Sequence, residues 1–232
     1  MKTRLFFTLL IIVTGWLLPL RAVEFRLISW EGQIQGLKYS NGKTQVDIAA
    51  GEGSLSSVFR FEGPGPLILY REVEQEGKTV REPMAALPVP EGFTQAIILL
   101  AYADAAKKTF TGLWINDAPE ARPPQTITYR NLSSYPVAIK LGTTEYTVPP
   151  HGIRAQATDP RVQRMVFKAV AHTPAGWKSI VSTIQPVRPG LRTLVIMRDG
   201  RPDPATGIKE IVDLLMFDDY PPAPAGAPVA SR

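Results

Sequence analysis

The side chains best suited to chemistry are few in this chain and poorly placed for it. Histidine occurs twice, as His151 in Val148-Pro149-Pro150-His151-Gly152 and as His172 ahead of Thr173-Pro174, and cysteine is absent. A zinc site of the usual kinds needs three or four nitrogen or sulfur ligands, so two histidines in separate turns do not supply one. A serine nucleophile needs an adjacent base. No Gly-x-Ser-x-Gly elbow is present, and Ser182 has no special context beside His172.

The carboxylates come closer to a pattern. Asp199-Gly200-Arg201-Pro202-Asp203, followed by Glu210, places acids at the first, fifth and twelfth positions of a calcium loop. Arg201 and Pro204 stand where that loop requires an oxygen ligand and a glycine, so the match fails. Asn116-Asp117 and Asp218-Asp219 are each followed, after one residue, by a proline. Paired acids suit glycoside hydrolysis. Their recurrence at matching places would imply two active sites per chain, and strand termination is the simpler reading, because Asn and Asp side chains bond nearby backbone amides. No glycine-rich phosphate loop opens a helix. The expectation is a non-enzyme without cofactor or metal; an enzyme with an unrecognised carboxylate site is the weaker alternative. Asn131-Leu132-Ser133 fits a glycosylation sequon at a strand-end turn.

Two residues stand out as candidate ligand or partner contacts. Trp177 follows Pro174-Ala175-Gly176, near a loop. Burial is the usual fate of a tryptophan, and stacking on a sugar or a partner is the alternative. Arg122 sits between two similar halves of the chain, where a groove between modules would form. Trp114, inside an apolar run, reads as core.

The elements that must position these residues read as strands. FRLISW (25–30), LKY (37–39), Thr44 to Ala50, Leu55 to Phe61 and Leu67 to Val73 are short, β-prone and bounded by turn residues such as Asn41-Gly42 and Gly63-Pro64-Gly65-Pro66. Ala96 to Leu100, AIILL, lacks polar alternation, as a strand covered on both faces should. Ile208 to Phe217 also fits helical spacing. Its counterpart TFTGLWI (109–115) favours strand, so it is read as mostly strand with a helical turn near Thr206.

Self-comparison pairs LILYREV (67–73) with RMVFKAV (164–170) and PVPEGF (88–93) with PVRPGL (186–191). It also pairs Ala96 to Leu99 with Leu194 to Met197, and Leu113 to Pro119 with Leu215 to Pro221. Upstream, LKYSN (37–41) meets ITYRN (127–131) and VDIAAG (46–51) meets VAIKLG (137–142). A repeat in constant order indicates duplication, with loops absorbing length changes. The fold class expected is all-β: two tandem, mutually similar antiparallel β-sandwich domains, Ig-like or barrel-like, after a signal peptide. They run over 23–119 and 125–221, joined by a stiff proline-rich linker (120–124) and followed by a disordered Pro/Ala-rich tail (222–232).

Met1-Lys2-Thr3-Arg4 precedes an apolar run from Leu5 to Leu20, and Leu20-Arg21-Ala22 offers a small residue at a cleavage site. This is a signal-peptide pattern over 1–22, too interrupted for a comfortable span, so no stable membrane span is expected once it is cleaved near Ala22. The formal charge of the 232-residue chain is +5, and cleavage removes Lys2, Arg4 and Arg21, leaving +2. That near balance removes the compositional support for nucleic-acid binding. An exported chain without cysteine suits a bacterial periplasm or exterior. The function expected is a non-catalytic binding or scaffolding protein of the cell envelope, contacting an envelope protein or a polysaccharide; the alternative is a carbohydrate-binding accessory module using Trp177.

Overall fold

The computed structural model describes residues 22–202, 207 and 210–221. The expected signal peptide up to residue 21, the expected tail and the turn expected near Thr206 lie outside the described residues. The first half of the chain forms eight strands: β1 (Ala22–Ser29), β2 (Ile34–Asn41), β3 (Thr44–Ala50), β4 (Phe59–Glu62), β5 (Leu67–Gln75), β6 (Lys78–Leu87), β7 (Gln95–Asp104) and β8 (Thr109–Asn116). Eight more follow: β9 (Thr126–Asn131), β10 (Val137–Leu141), β11 (Thr144–Val148), β12 (Ile153–Ala157), β13 (Arg164–Thr173), β14 (Gly176–Pro186), β15 (Arg192–Asp199) and β16 (Val212–Asp219). The segment that also fitted helical spacing is strand from Val212 onward.

The strands make four sheets of four, ordered β4-β1-β7-β8 and β3-β2-β5-β6 in the first module, β12-β9-β15-β16 and β11-β10-β13-β14 in the second. The fold is two tandem β-sandwiches, and neither closes into a barrel. Each strand of the first module has its counterpart eight strands later, so the duplication is complete in topology. One expectation needs correction: the sheets are not purely antiparallel. β1 pairs with β7 in parallel, and β9 with β15 likewise. A parallel pair requires a crossover. Here the intervening strands supply it, leaving β1 central in its sheet.

The repeat alignment is right for some blocks and slipped for others. LILYREV and RMVFKAV fall on the corresponding β5 and β13, and the turns holding Gly92 and Gly190 both need positive φ, at 80° and 76°. LKYSN, however, is in β2, whereas ITYRN is in β9, the counterpart of β1. VDIAAG and VAIKLG are displaced by one strand in the same way. Ala96 to Leu99 slips by one residue: Ile97 and Leu99 share a core with Leu194 and Ile196. Strands of one sandwich carry the same alternating pattern, so neighbours resemble each other, and a single-residue slip exchanges the two faces.

Three cores stack between the four sheets. Phe25, Leu27, Leu37, Tyr39, Leu69 and Ile98 fill the first sandwich. Tyr129, Ile139, Leu141, Phe167, Val195 and Met197 fill the second. A third core, Ile28, Trp30, Ile97, Leu99, Leu194, Ile196 and Phe217, lies between the modules. The inner sheets are therefore buried on both faces, which is why β7 and β15 read as unbroken apolar runs. At one end of this third core, Arg198 lies over the Trp30 ring at 4.3 Å and bonds Glu31 at 2.9 Å.

Because the modules share a core, the described fold is expected to unfold as one unit. Ile196→Ala should lower the stability of the full chain by about 2–5 kcal/mol through cavity formation, in a single transition seen by calorimetry. Two resolved transitions, with only the second displaced, would show that the modules fold apart.

Candidate functional site

Among the gatherings of charged side chains, one is closed and another is open beside an exposed aromatic ring. The closed one lies at the other end of the intermodule core. Arg26 projects from β1, Arg192 from the start of β15, and Asp117 and Asp219 stand at the ends of β8 and β16. Arg26 bonds Asp117 at 2.5 Å and Asp219 at 2.7 Å, and Arg122 bonds the same two at 2.5 and 2.9 Å. Arg192 reaches Asp117 at 3.2 Å, bonds Asp219 more closely still, and donates its other terminal nitrogen to the Arg122 carbonyl at 3.2 Å. Arg122 and Arg192 are almost wholly buried. Three guanidinium groups thus hold two carboxylates, and backbone oxygen takes up a further donor of Arg192, while the Nε atoms of Arg122 and Arg192 stay without a hydrogen-bond partner.

This changes the reading of three sequence features. Asn116 does act as a strand stop, accepting from the Ala118 amide at 3.0 Å. Asp117 and Asp219 instead reach across the module boundary, and Asp218 bonds Thr193 at 2.5 Å. The expected extended linker is a tight turn, with the Arg122 amide donating to the Ala118 carbonyl at 2.9 Å, and the turn drives the guanidinium inward. Arg122 is 2 % exposed, so no open groove receives it; it is a structural contact between modules. The signal for the cluster was present in the sequence. Arg26 lies within a largely apolar strand, Arg192 stands just ahead of the apolar run of β15, and aspartates recur at matching strand ends.

Burial pushes the Asp219 carboxyl up, but Arg122, Arg192 and Arg26 together overcome it and hold it below its ordinary 3.8. Burial also pulls the Arg26 guanidinium down, and bonds to Asp219 and Asp117 more than restore it. Asp219 and Arg26 are therefore held in their charged forms near neutral pH, bonded to each other.

The open place is the outer face of β10, β11, β13 and β14. Trp177 is 56 % exposed, against the ordinary expectation of burial, while Trp30 and Trp114 are core residues. Its ring lies against His172 at 4.6 Å between centroids. Beside it is a depression of about 500 Å³ whose lining includes Ala138, Val170, Thr147, Lys140, Glu145 and Lys168. Alternation along the strands explains the separation: Ile139, Tyr146 and Phe167 point into the core while their neighbours point out. Lys140 bonds Glu145 at 2.5 Å and holds its carboxyl below the usual carboxylate range, so Glu145 is ionised and has no proton to give. The arrangement offers a stacking plane, cations and an anion for recognition.

The remaining features resolve simply. Asn131 of the sequon is fully buried and donates to the carbonyls of Tyr135 and Val148, so its amide is inaccessible to glycosylation in the folded chain. His151 is exposed in a turn at φ 57°. Among the described residues no three His, Cys, Asp or Glu side chains gather as metal ligands, and no helix is long and apolar enough to cross a membrane. No protein-family model matches the chain, and no curated protein matches it significantly.

The closed cluster makes a prediction in acid. Asp219 has a depressed folded pKa, so the stability it contributes is fully present above its ordinary 3.8 and lost as pH falls below that value toward the folded pKa. Asp219→Asn should flatten the acid limb of a stability–pH curve measured by denaturant titration. At neutral pH, removing one partner by Arg122→Ala should lower stability by about 3–5 kcal/mol. Acid limbs that superimpose for Asp219→Asn and the parent would refute the assignment.

Proposed function

We propose that the protein is an exported, non-catalytic binding or scaffolding protein of the bacterial cell envelope, and that its contact surface is the outer sheet of the second module. The observation that carries this reading is Trp177, an aromatic ring left 56 % exposed beside an open depression on a firmly packed scaffold. Exposed aromatics with a polar surround are the usual anchors of recognition surfaces. The buried acids and arginines, by contrast, are occupied in joining the modules. The signal-peptide pattern supports export, and the near-neutral mature charge argues against nucleic acid as the partner.

Retention of the purified mature chain on isolated envelope material, comprising both protein and polysaccharide, tests this. Trp177→Ala should reduce retention about tenfold or more, as loss of a central aromatic anchor does, with an unchanged thermal midpoint because the residue is exposed. Equal retention of variant and parent would place the contact surface elsewhere.

A further inference from the structure

The two modules treat the same outer sheet differently, and the difference creates the depression. Equivalent hairpins set the correspondence: Asn41 pairs with Thr44 around Gly42 at φ 61°, and Leu141 pairs with Thr144 around Gly142 at φ 60°. Counting back along each strand, Lys38 corresponds to Ala138. Lys38 is flanked across the sheet by Asp47 and Tyr70, and Ala138 by Thr147 and Val170.

In the first module these positions are filled and their charges satisfied. Lys38 bonds Glu72 at 2.7 Å and approaches Asp47 at 3.7 Å, and Arg81 covers the Tyr70 ring at 4.9 Å. In the second module a long lysine, an aspartate and a tyrosine give way to alanine, threonine and valine, and the floor sinks. Trp177 bounds the resulting trough, which also exposes Lys140, Glu145 and Lys168. Lys140 and Glu145 satisfy each other at 2.5 Å. Lys168 has no ion pair among the described residues, so the trough carries one uncompensated positive charge.

We propose that this trough binds an acidic sugar residue of a polysaccharide, its pyranose ring lying on the Trp177 face and its anionic group directed to Lys168. The inference rests on the reading that this face is the contact surface, and it names the ligand class. Three features select it. The exposed aromatic plane of Trp177 suits the apolar face of a pyranose. The free ammonium favours an anionic substituent, carboxylate or sulfate, over a neutral one. The floor is formed by outward-facing side chains, with Ala138 and Val170 on the central strands β10 and β13, whereas a peptide strand adds at a sheet edge and not on its face.

Calorimetric titration of the mature chain with an oligouronide, an O-sulfated oligosaccharide and a neutral oligosaccharide of equal length tests the proposal and separates the two anionic sources. At least one anionic ligand should bind, more weakly as salt is raised, with the neutral ligand about fivefold weaker or worse. Ala138→Lys, which installs the first module's own residue, should fill the trough and weaken binding about tenfold, as should Trp177→Ala; Lys168→Glu should abolish the preference for the anion. Each variant should keep the parent's thermal midpoint. Equal binding of neutral and anionic ligands, or unimpaired binding by Ala138→Lys at full stability, would overturn the proposal. If no oligosaccharide binds while envelope retention still depends on Trp177, the ligand class is wrong and the contact surface stands. If retention is also independent of Trp177, both fail.

Discussion

Five side chains at one end of the intermodule core decide how the two halves of this protein sit together. Arg26, Arg122 and Arg192 share Asp117 and Asp219, and each carboxylate serves more than one guanidinium. Taking such groups out of water is unfavourable, and well-packed apolar residues would often serve stability as well or better. What the cluster adds is direction. An apolar face tolerates sliding and rotation against another apolar face, whereas fork-like guanidinium groups bond only in one register. The sheets of Ile97 and Leu194 are thereby held in a single alignment, with Arg198, Glu31 and Trp30 fixing the opposite end.

The cluster also breaks the symmetry that duplication would give. Its aspartates occupy corresponding strand ends, but the arginines do not match. By the pairing of β1 with β7 and of β9 with β15, Arg26 corresponds to Thr128 and Arg192 to Gln95. Two equivalent surfaces, each carrying the same charges, would repel or pair indiscriminately; divergence at these positions makes one face complementary to the other. The same logic runs on the outer sheets, where Lys38 and Ala138 have gone separate ways. Duplication supplied the scaffold, and substitution at a few corresponding positions gave the inner faces a joint and one outer face a depression.

Much of the architecture was legible in the sequence. Short β-prone runs between turn residues give strands, and the unbroken AIILL run announced a strand buried on two faces. Order and topology were harder. Parallel pairing of β1 with β7 leaves no local signature, because it depends on which distant strand lies alongside. Register within the repeat failed wherever neighbouring strands shared one alternating pattern. Trp177 was visible as a candidate because it followed a loop, yet its exposure depends on the long β13–β14 hairpin holding the ring outward. Arg122 reads from the sequence as a contact in an open groove between modules; its place between them holds, but the turn from Ala118 buries it there, so it is closed to a ligand. The depression itself has no sequence signal in one module alone; it emerges when Ala138 is set against Lys38.

The bond between Arg26 and Asp219 joins positions 193 residues apart, from the first strand to the last. Such a closure has a kinetic meaning. β1 can pair early with β4, but its other edge waits for β7 and the joint between modules waits for β16, so the contacts that complete the fold are among the most distant in the chain. Proteins dominated by such contacts assemble slowly. A chain whose last described strand covers one face of its first leaves that face open longest.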